Sequence, residues 1–217
     1  MIVPELPEPF LVEFLPAIVS QFGALAAPAA AGTGGGAGRL PVRRRAPTSA
    51  GIGVRVVGAG EWTVRASEQA LGVSPGIADD VVLQISLAAQ DFGPLIVEPA
   101  RRALAAHDSA SVASELLARS LWAPLGRFDA ETAELLRQQQ GRILVRIDDA
   151  GTLRRVALTP GRVAYSLEAA ECSVDCPLAA LLELQEKRKN PLDLFYEGRI
   201  RIGGDAQLAL AIAGLFL

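Results

Sequence analysis

The period of the hydrophobic pattern changes along the chain, and these changes divide the 217 residues into segments. Residues 8–27 are almost continuously apolar, which predicts a helix. From there to about residue 50 glycine, alanine and proline dominate, which predicts a flexible linker because these residues resist regular structure. After residue 50 apolar and polar residues alternate, the period of two that is typical of β-strands.

Four short strands are predicted in the first alternating stretch, residues 51–96. Glycines, a Ser-Pro-Gly turn and an Asp-Asp pair separate the alternating runs. The predicted strands cover 54–57, 62–66, 71–73 and 81–87. We interpret them as an antiparallel meander that leads into a helix at about Ala88.

A helical stretch and a second meander follow. Helices are predicted at 99–106, 111–121 and 130–139, and Asp129 is a good cap for the last of them. From residue 141 the alternation returns and leads into another helix that contains "PLAALLELQEK". The order of strands, turns and helix is thus the same in both meanders.

Three short matches indicate an internal repeat. The segments 54–56, 59–60 and 87–89 match 145–147, 150–151 and 178–180, all at an offset of 91 residues. Small slips between the matches are needed, and chance matching of common residues is the alternative explanation. We predict a duplication in which the first copy is abbreviated, because nothing in it corresponds to residues 190–217.

The C-terminal run "FYEGRIRIGGDAQLALAIAGLFL" predicts a strand, a glycine turn and a helix. Gly203 and Gly204 permit a tight turn, and Asp205 can cap the helix that follows. This helix has no polar face, so we expect every side of it to be buried. The sheet can cover one side, while the other needs a bound lipid, another domain or a second subunit.

Residues from about 110 to 217 resemble the sterol carrier protein 2 domain. The resemblance lies in the order of "GRILVRIDD", "RRVALTPGRVAYSLEAAECSVDC", "PLAALLELQEKRK", "NPLDLFYEGRIRIGGD" and the closing apolar helix, and "NPLDLFYEGRIRIGGD" is the most specific element. The resemblance implies an α+β fold with a mostly antiparallel five-stranded sheet, covered by helices over a lipid-binding tunnel. With the meander as an abbreviated second copy, the expected divisions are 1–50, 51–108 and 109–217.

The same resemblance implies a set of lipid-lining residues on the second meander and the closing helix. Ordinary core packing is the alternative for each of them, and the Tyr196 hydroxyl could bond the polar end of a lipid at the mouth of the tunnel. The candidates are Ile143, Val145, Val156, Leu158, Val163, Tyr165, Leu178, Leu181, Leu182, Phe195, Tyr196, Ile200, Ile202, Leu208, Ile212, Leu215 and Phe216.

Composition narrows the classes of function. Mean hydropathy is +0.30 with only 5% aromatic residues, which is typical of a membrane protein or of a soluble one whose apolar surface meets a ligand or partner. Glu13, Pro16 and Gln21 interrupt the N-terminal apolar run, and 208–217 is too short to cross a bilayer. The acidic start "MIVPELPEPF" argues against a secretory signal. A net charge of −3 gives no reason to expect nucleic acid, and the arginines at 43–45 are expected in a solvated linker.

Candidate chemistry is sparse. On one strand Cys172 and Cys176 would lie about 13 Å apart, too far for a disulfide. With His107 as the single histidine we expect neither a metal site nor a cofactor. No nucleophile elbow, phosphate loop or dinucleotide fingerprint occurs in the sequence, so we expect no enzyme. Two cysteines fit a reducing cytoplasm.

Two functions of different classes remain. The first is binding and intracellular transfer or presentation of an apolar lipid, such as a sterol, a fatty acyl lipid or an isoprenoid quinone, in a tunnel closed by the C-terminal helix. The second is a scaffold or assembly protein that uses the apolar helix as an interface, for example as an accessory factor in quinone biosynthesis. A homodimer and peripheral membrane contact are left open.

Overall fold

The computed structural model describes residues 2–22, 50–66, 70–106, 130–161, 163–185 and 188–216. The predicted linker and the helix predicted at 111–121 lie outside the described residues. Eight strands are described, in one sheet of order β3-β2-β1-β4-β6-β5-β7-β8. The strands are β1 (Gly51–Val57), β2 (Gly60–Ala66), β3 (Leu71–Pro75), β4 (Val81–Ala88), β5 (Ile143–Asp149), β6 (Thr152–Pro160), β7 (Cys172–Pro177) and β8 (Arg201–Gly204).

Most of the described helices lie where they were predicted, but the strand predicted to begin at Phe195 begins only at Arg201, and Phe195 and Tyr196 belong to a helix. An N-terminal helical segment covers residues 7–22: α1 (Pro7–Pro9), a wider π-helical turn (Phe10–Phe14) and α2 (Leu15–Phe22). A second π-helical turn (Gly93–Val97) joins α3 (Ala89–Phe92) to α4 (Glu98–Ala106). The remaining described helices are α5 (Ala130–Gln138), α6 (Leu178–Gln185), α7 (Pro191–Tyr196) and α8 (Ala206–Phe216).

The expectation of a mostly antiparallel five-stranded sheet is wrong. The last strand of the first meander, β4, pairs with β6 of the second, so both meanders share one sheet of eight strands. The sheet is mixed, because β1 pairs with β4 and β5 pairs with β7 in parallel. In the first unit β1 and β2 form an antiparallel hairpin, and β4 then pairs with the free edge of β1. In the second unit β5 and β6 form the hairpin, and β7 pairs with the free edge of β5.

The two meanders build the same arrangement side by side. Strands β1, β2 and β4 form a hairpin with a parallel third strand, followed by α3. Strands β5, β6 and β7 repeat this arrangement in the same order across the sheet, followed by α6. The duplication in sequence stays a prediction.

The sheet has one apolar and one mostly polar face. Side chains alternate along each strand, and the register places the apolar ones of neighbouring strands on one face. This apolar face carries Ile52, Val54, Val64, Leu83, Ile85, Leu87, Ile143, Val145, Ile147, Val156, Leu158, Cys172, Val174, Cys176 and Ile202. The polar face carries residues such as Arg55, Gln84, Arg146 and Asp175.

The N-terminal helical segment packs within its own chain over the first unit. Its Phe10, Leu11, Leu15 and Ile18 are fully buried, and its π-helical turn and α2 both contact β3. The Phe10 ring lies edge-on to that of Phe92, at 5.5 Å between centroids. The segment therefore covers apolar surface in the unit that has no counterpart of β8 and α8.

A glycine fixes the turn from β8 into α8. Gly204 has φ +79°, and a Cβ there would lie 2.1 Å from the Glu171 carbonyl oxygen. We expect Gly204→Ala to destabilise the protein by about 2 kcal/mol or more, because it combines left-handed strain with a backbone clash. Gly151→Ala is the matched control: its φ is +89° and a Cβ there meets nothing within 4 Å. Urea unfolding of both variants tests this, and equal losses would contradict the clash.

Candidate functional site

At the β8 edge of the sheet, the apolar face is more open midway along the strands than towards their ends. Val145, Val174 and Ile202 stand next to one another in register on β5, β7 and β8, and all three are partly exposed. On one side of this row Ile143 and Cys172 are buried, at 2% and 0% exposure. On the other side Ile147 and Cys176 are buried as well. We call the surface of Val145, Val174 and Ile202 the apolar slot.

Two helices border the slot. At the Cys172 end lies α8, which contacts β7 and β8 and buries Leu208 and Ile212. From the Cys176 end runs α6, which begins directly after β7, contacts β5 and β7, and buries Ala180. Leu178, Leu181 and Leu184 of α6 pack on the core but are only partly buried. The slot is thus an apolar strip of sheet with apolar helices on both sides.

Local hydrogen bonds fix the start of α8 as the sequence predicts. The Asp205 carboxylate accepts from the backbone N–H groups of Gln207 and Leu208, at 3.0 and 3.1 Å. These bonds satisfy donors that the first turn of a helix leaves free. The backbone N–H of Asp205, directly after β8, donates to the Glu171 carbonyl. The cap and the turn together set the direction in which α8 crosses the sheet.

The expectation that every side of α8 is buried is wrong for its described side chains. Leu208, Ala209 and Ile212 form the buried stripe, whereas Leu210 is 65% exposed. Residues 208 and 212 are one helical turn apart and face the sheet, while 210 points to the opposite side. The apolar sequence of α8 is therefore compatible with one side of the helix facing solvent.

A partly buried ion pair fixes the position of α6, the helix that borders the slot at the Cys176 end. The Arg199 guanidinium donates to both oxygens of Glu183, at 2.8 and 2.9 Å. This bidentate pair ties α6 to the segment that enters β8. The Arg199 side chain holds the pKa of Glu183 below its ordinary value by hydrogen bonding to the carboxylate.

Most of the predicted lipid-lining residues come together around the slot. Ile143, Val145, Val156, Leu158 and Ile202 lie on the apolar face, and Leu208 and Ile212 lie on the buried stripe of α8. Leu178, Leu181 and Leu182 belong to α6, while Ile200 is buried just before β8, where its N–H donates to the Leu194 carbonyl. The side chains of Leu215 and Phe216 lie outside the described part.

Val163 and Tyr165 do not reach the slot. They were expected on a strand, but β6 ends at Pro160 because the chain turns at Gly161, which has φ +58° and donates to the Val82 carbonyl. Both residues line a cavity of about 410 Å³ on the polar face, beside Arg55 and Gln84. There the Arg55 guanidinium stacks over the Tyr165 ring at 4.0 Å.

Phe195 and Tyr196 are also separate from the slot. They lie on α7 with 45% and 81% of their surface exposed. Leu194, on the opposite side of this helix, is fully buried. The expected place of the Tyr196 hydroxyl at the mouth of a lipid tunnel stays a prediction.

Sequence reasoning missed Val174. The alternating "CSVDC" contained the signal, since Cys172, Val174 and Cys176 must share a face of a strand, but only the cysteines were considered. Burial raises the pKa of the Cys176 thiol to about 11 and raises that of Cys172 as well. Both thiols are therefore neutral at ordinary pH and act as small apolar side chains beside Val174.

An ion pair joins the starts of β5 and β7 at the edge of the site. Glu171 accepts from the Arg142 backbone N–H at 2.7 Å and from its guanidinium at 2.8 Å. Hydrogen bonding to Arg142 lowers the pKa of Glu171 from 4.5 to about 2. Because the folded pKa is depressed, this stabilisation is present above pH 4.5 and is lost as the pH falls towards 2.

We expect Glu171→Gln to lower stability at neutral pH and much less at acid pH. The variant lacks the charge that Arg142 stabilises, so its stability should approach that of the wild type as the pH falls from about 5 to 2. Urea unfolding at several pH values in this window measures the difference. A difference that stays constant with pH would show that the charge of Glu171 contributes nothing.

Two further observations concern the described residues alone. No group of three or more His, Cys, Asp or Glu side chains among them could hold a metal ion. Of the helices described, none combines the length and apolarity that crossing a membrane requires.

Comparison with known proteins yields one family match. Residues 124–217 match the model of the SCP-2 sterol transfer family. No curated protein matches the chain.

Solved structures give weaker similarities. Sterol carrier protein 2 like 2 from Aedes aegypti is 17% identical, with 58% of this chain and 95% of that chain covered and a TM-score of 0.32. Its palmitated form in solution is 19% identical over 44% of this chain and 93% of that chain, with a TM-score of 0.32. Sterol carrier protein 2 from Yarrowia lipolytica, in the apo form, is 15% identical over 38% of this chain and 76% of that chain, with a TM-score of 0.30.

These scores are too low to support an argument about this chain. The family match covers β5 to β8 and α5 to α8, the elements that form the slot and its borders. It confirms the resemblance drawn from the sequence motifs: residues 124–217, somewhat less than half of the chain, match the model of the SCP-2 sterol transfer family.

Proposed function

We propose that the protein binds one apolar lipid in the apolar slot and carries or presents it without catalysing a reaction. The observation that carries this proposal is the partly exposed row of Val145, Val174 and Ile202 between rows that are buried. Water on such a strip costs free energy that an apolar ligand would remove. The match of residues 124–217 to a sterol transfer family supports a lipid as that ligand.

The driving force would be apolar burial. Each methylene removed from water contributes about 0.8 kcal/mol, so ten methylenes contribute about 8 kcal/mol, a dissociation constant near 1 μM before the costs of association. A sterol, a fatty acyl lipid or an isoprenoid quinone could supply this area. Because an apolar strip discriminates weakly between such ligands, the proposal extends to all three classes.

The C-terminal helix would serve as the lid of the site. Only one stripe of α8, with Leu208, Ala209 and Ile212, packs on the sheet, so these are the buried contacts that a movement of the helix would have to break. Closure of α8 over a bound lipid would turn the open strip into an enclosed tunnel, and release would require the helix to lift again.

The carrier would act in a reducing compartment, and we propose the cytoplasm. Cys172 and Cys176 are both free and buried. Their neutral thiols belong to the apolar face and need no oxidant for the proposed role.

Native mass spectrometry followed by lipid extraction of the same purified sample tests the proposed function. Full-length protein would be incubated with vesicles that contain a sterol, a fatty acid or a quinone. We expect about one lipid per chain for at least one of these classes. Protein that takes up none of the three would overturn the proposal.

A second candidate is assembly through α8. It is favoured by Leu210, an exposed leucine on a helix whose sequence is apolar apart from Gln207. A homodimer that buries this stripe would show a larger mass by light scattering, and Leu210→Gln should return it to a monomer while lipid binding persists. A wild-type chain that is monomeric at high concentration would exclude this candidate.

A further inference from the structure

The exposed face of α7 is apolar, which is the reverse of an ordinary surface helix. Leu192, Phe195 and Tyr196 are 55%, 45% and 81% exposed. Their spacing of three and four residues places them on one face of the helix. The fully buried Leu194 lies on the other side. We call the three exposed side chains the α7 patch.

The α7 patch is held rigidly by the structure around it. The Asn190 side chain accepts from the Leu192 N–H at 2.9 Å and caps the helix. At the other end the N–H groups of Arg199 and Ile200 both donate to the Leu194 carbonyl. The exposure of the aromatic rings is therefore a property of a fixed element, and packing them inward would break its anchor at Leu194.

Basic residues flank the patch in sequence, in a protein that is acidic as a whole. Residues 188–201 contain four cations and two carboxylates, a net charge of +2, whereas the whole chain carries −3. The side chains of Arg188 and Lys189 are exposed at the start of α7, and Lys189 pairs with Glu197 at 2.5 Å. Exposed aromatic rings next to basic side chains fit the interface of a membrane with anionic headgroups.

We infer that the α7 patch docks the protein on an anionic phospholipid surface. Phe195 and Tyr196 would insert at the level of the headgroups, where Tyr keeps its hydroxyl in a polar layer. The exposed cations on either side of the helix, Arg188, Lys189 and Arg201, would contact the lipid phosphates. The inference rests on the proposed function, since a lipid carrier must meet a membrane. In the chain α7 joins α6 to β8, the two elements that border or form the apolar slot, so docking there brings the slot to the lipid source.

Charge and apolar area contribute separately to the affinity for the membrane, and the two contributions should depend differently on salt concentration. The part of the affinity that the basic residues contribute should be lost as salt screens the headgroups. Insertion of the rings should persist in salt. Binding should therefore weaken, without disappearing, at high ionic strength.

Co-sedimentation of the full chain with vesicles tests this inference. We expect binding to phosphatidylcholine vesicles that contain about 30% phosphatidylserine, and weaker binding to pure phosphatidylcholine. The double variant Phe195→Ser, Tyr196→Ser should lower the affinity at least about tenfold. Arg188→Gln with Lys189→Gln should remove most of the preference for phosphatidylserine while leaving weak binding to both vesicles.

The matched control removes two other exposed apolar side chains. Val57 and Leu153 are 39% and 50% exposed on strands away from α7, and Val57→Ser with Leu153→Ser should bind vesicles like the wild type. Equal losses in the control and the α7 variant, or no vesicle binding by the wild type, would overturn the docking surface. If the α7 patch binds another protein but does not bind vesicles, the docking surface would be overturned too.

The same variants separate this inference from the proposed function. The Phe195→Ser, Tyr196→Ser variant should still bind a fluorescent fatty acid from solution with wild-type affinity, since neither residue lies at the slot. Wild-type protein that does not bind vesicles but does bind the fatty acid would refute the α7 patch alone. Fatty acid binding that fails in the wild type would refute the proposed function.

Discussion

Replacing Phe10 by alanine is expected to lower the free energy of unfolding by about 3–5 kcal/mol. The Phe10 side chain is fully buried, and its ring lies 5.1 Å from that of Phe14 and 5.5 Å from that of Phe92 between centroids. Removing it leaves a cavity between the N-terminal helical segment and the first unit of the sheet. Urea unfolding at neutral pH measures the loss.

The control for Phe10 lies on the same segment. Val12 is 43% exposed, so Val12→Ala should change stability by less than about 0.5 kcal/mol. Similar effects of the two substitutions would mean that the segment does not pack on the sheet in solution. In the structure the N-terminal helical segment packs on the first unit of its own chain, so no second subunit is needed to bury its apolar side chains.

Placing a positive charge in the apolar slot is expected to weaken lipid binding about a hundredfold with little effect on folding. Val174 is partly exposed at the centre of the slot, so the ammonium of Val174→Lys can reach water when the site is empty. A bound lipid would have to bury that charge or leave the strip. We expect a loss of about 3 kcal/mol in binding, roughly a hundredfold in the dissociation constant.

Leu153→Lys is the matched control for the slot. Leu153 is half exposed on the polar face of β6, opposite Asp148 in register, so the same side chain there should leave lipid affinity unchanged. Titration with a fluorescent fatty acid compares the two variants, and circular dichroism shows whether each is folded. A folded Val174→Lys protein with wild-type affinity would place the ligand elsewhere.

Local features of the fold could be predicted from the sequence. The strands predicted at 54–57, 62–66 and 81–87 are found as Gly51–Val57, Gly60–Ala66 and Val81–Ala88, because alternation and turn residues act within a few positions. The cap at Asp205 is equally local and is found as expected. The motifs of the C-terminal part also sufficed to recognise its family.

Pairing between distant segments could not be predicted in this way. Nothing in the pattern of β4 or β6 states that they pair with each other, although this contact merges the two meanders into one sheet. The parallel pairs of β1 with β4 and of β5 with β7 depend on which strand edge is left free after the hairpins form. The alternation of apolar and polar residues within one strand does not indicate which strand edge it will pair with.

The site shows the same limit. Alternation indicated that Val145 and Ile202 face the core side, but their partial exposure depends on where α6 and α8 lie across the sheet. For Phe195 and Tyr196 hydrophobicity suggested burial. The phase of a short helix anchored by Leu194 turns them outward instead.

Photo-crosslinking with a fatty acid that carries a diazirine on its chain tests the central claim most directly. After irradiation with the full-length protein, digestion and mass spectrometry locate the labelled residues. The proposed site predicts adducts in β5, β7 and β8, on or beside Val145, Val174 and Ile202. Adducts confined to the polar-face cavity beside Arg55 and Tyr165, or to the N-terminal helical segment, would contradict it.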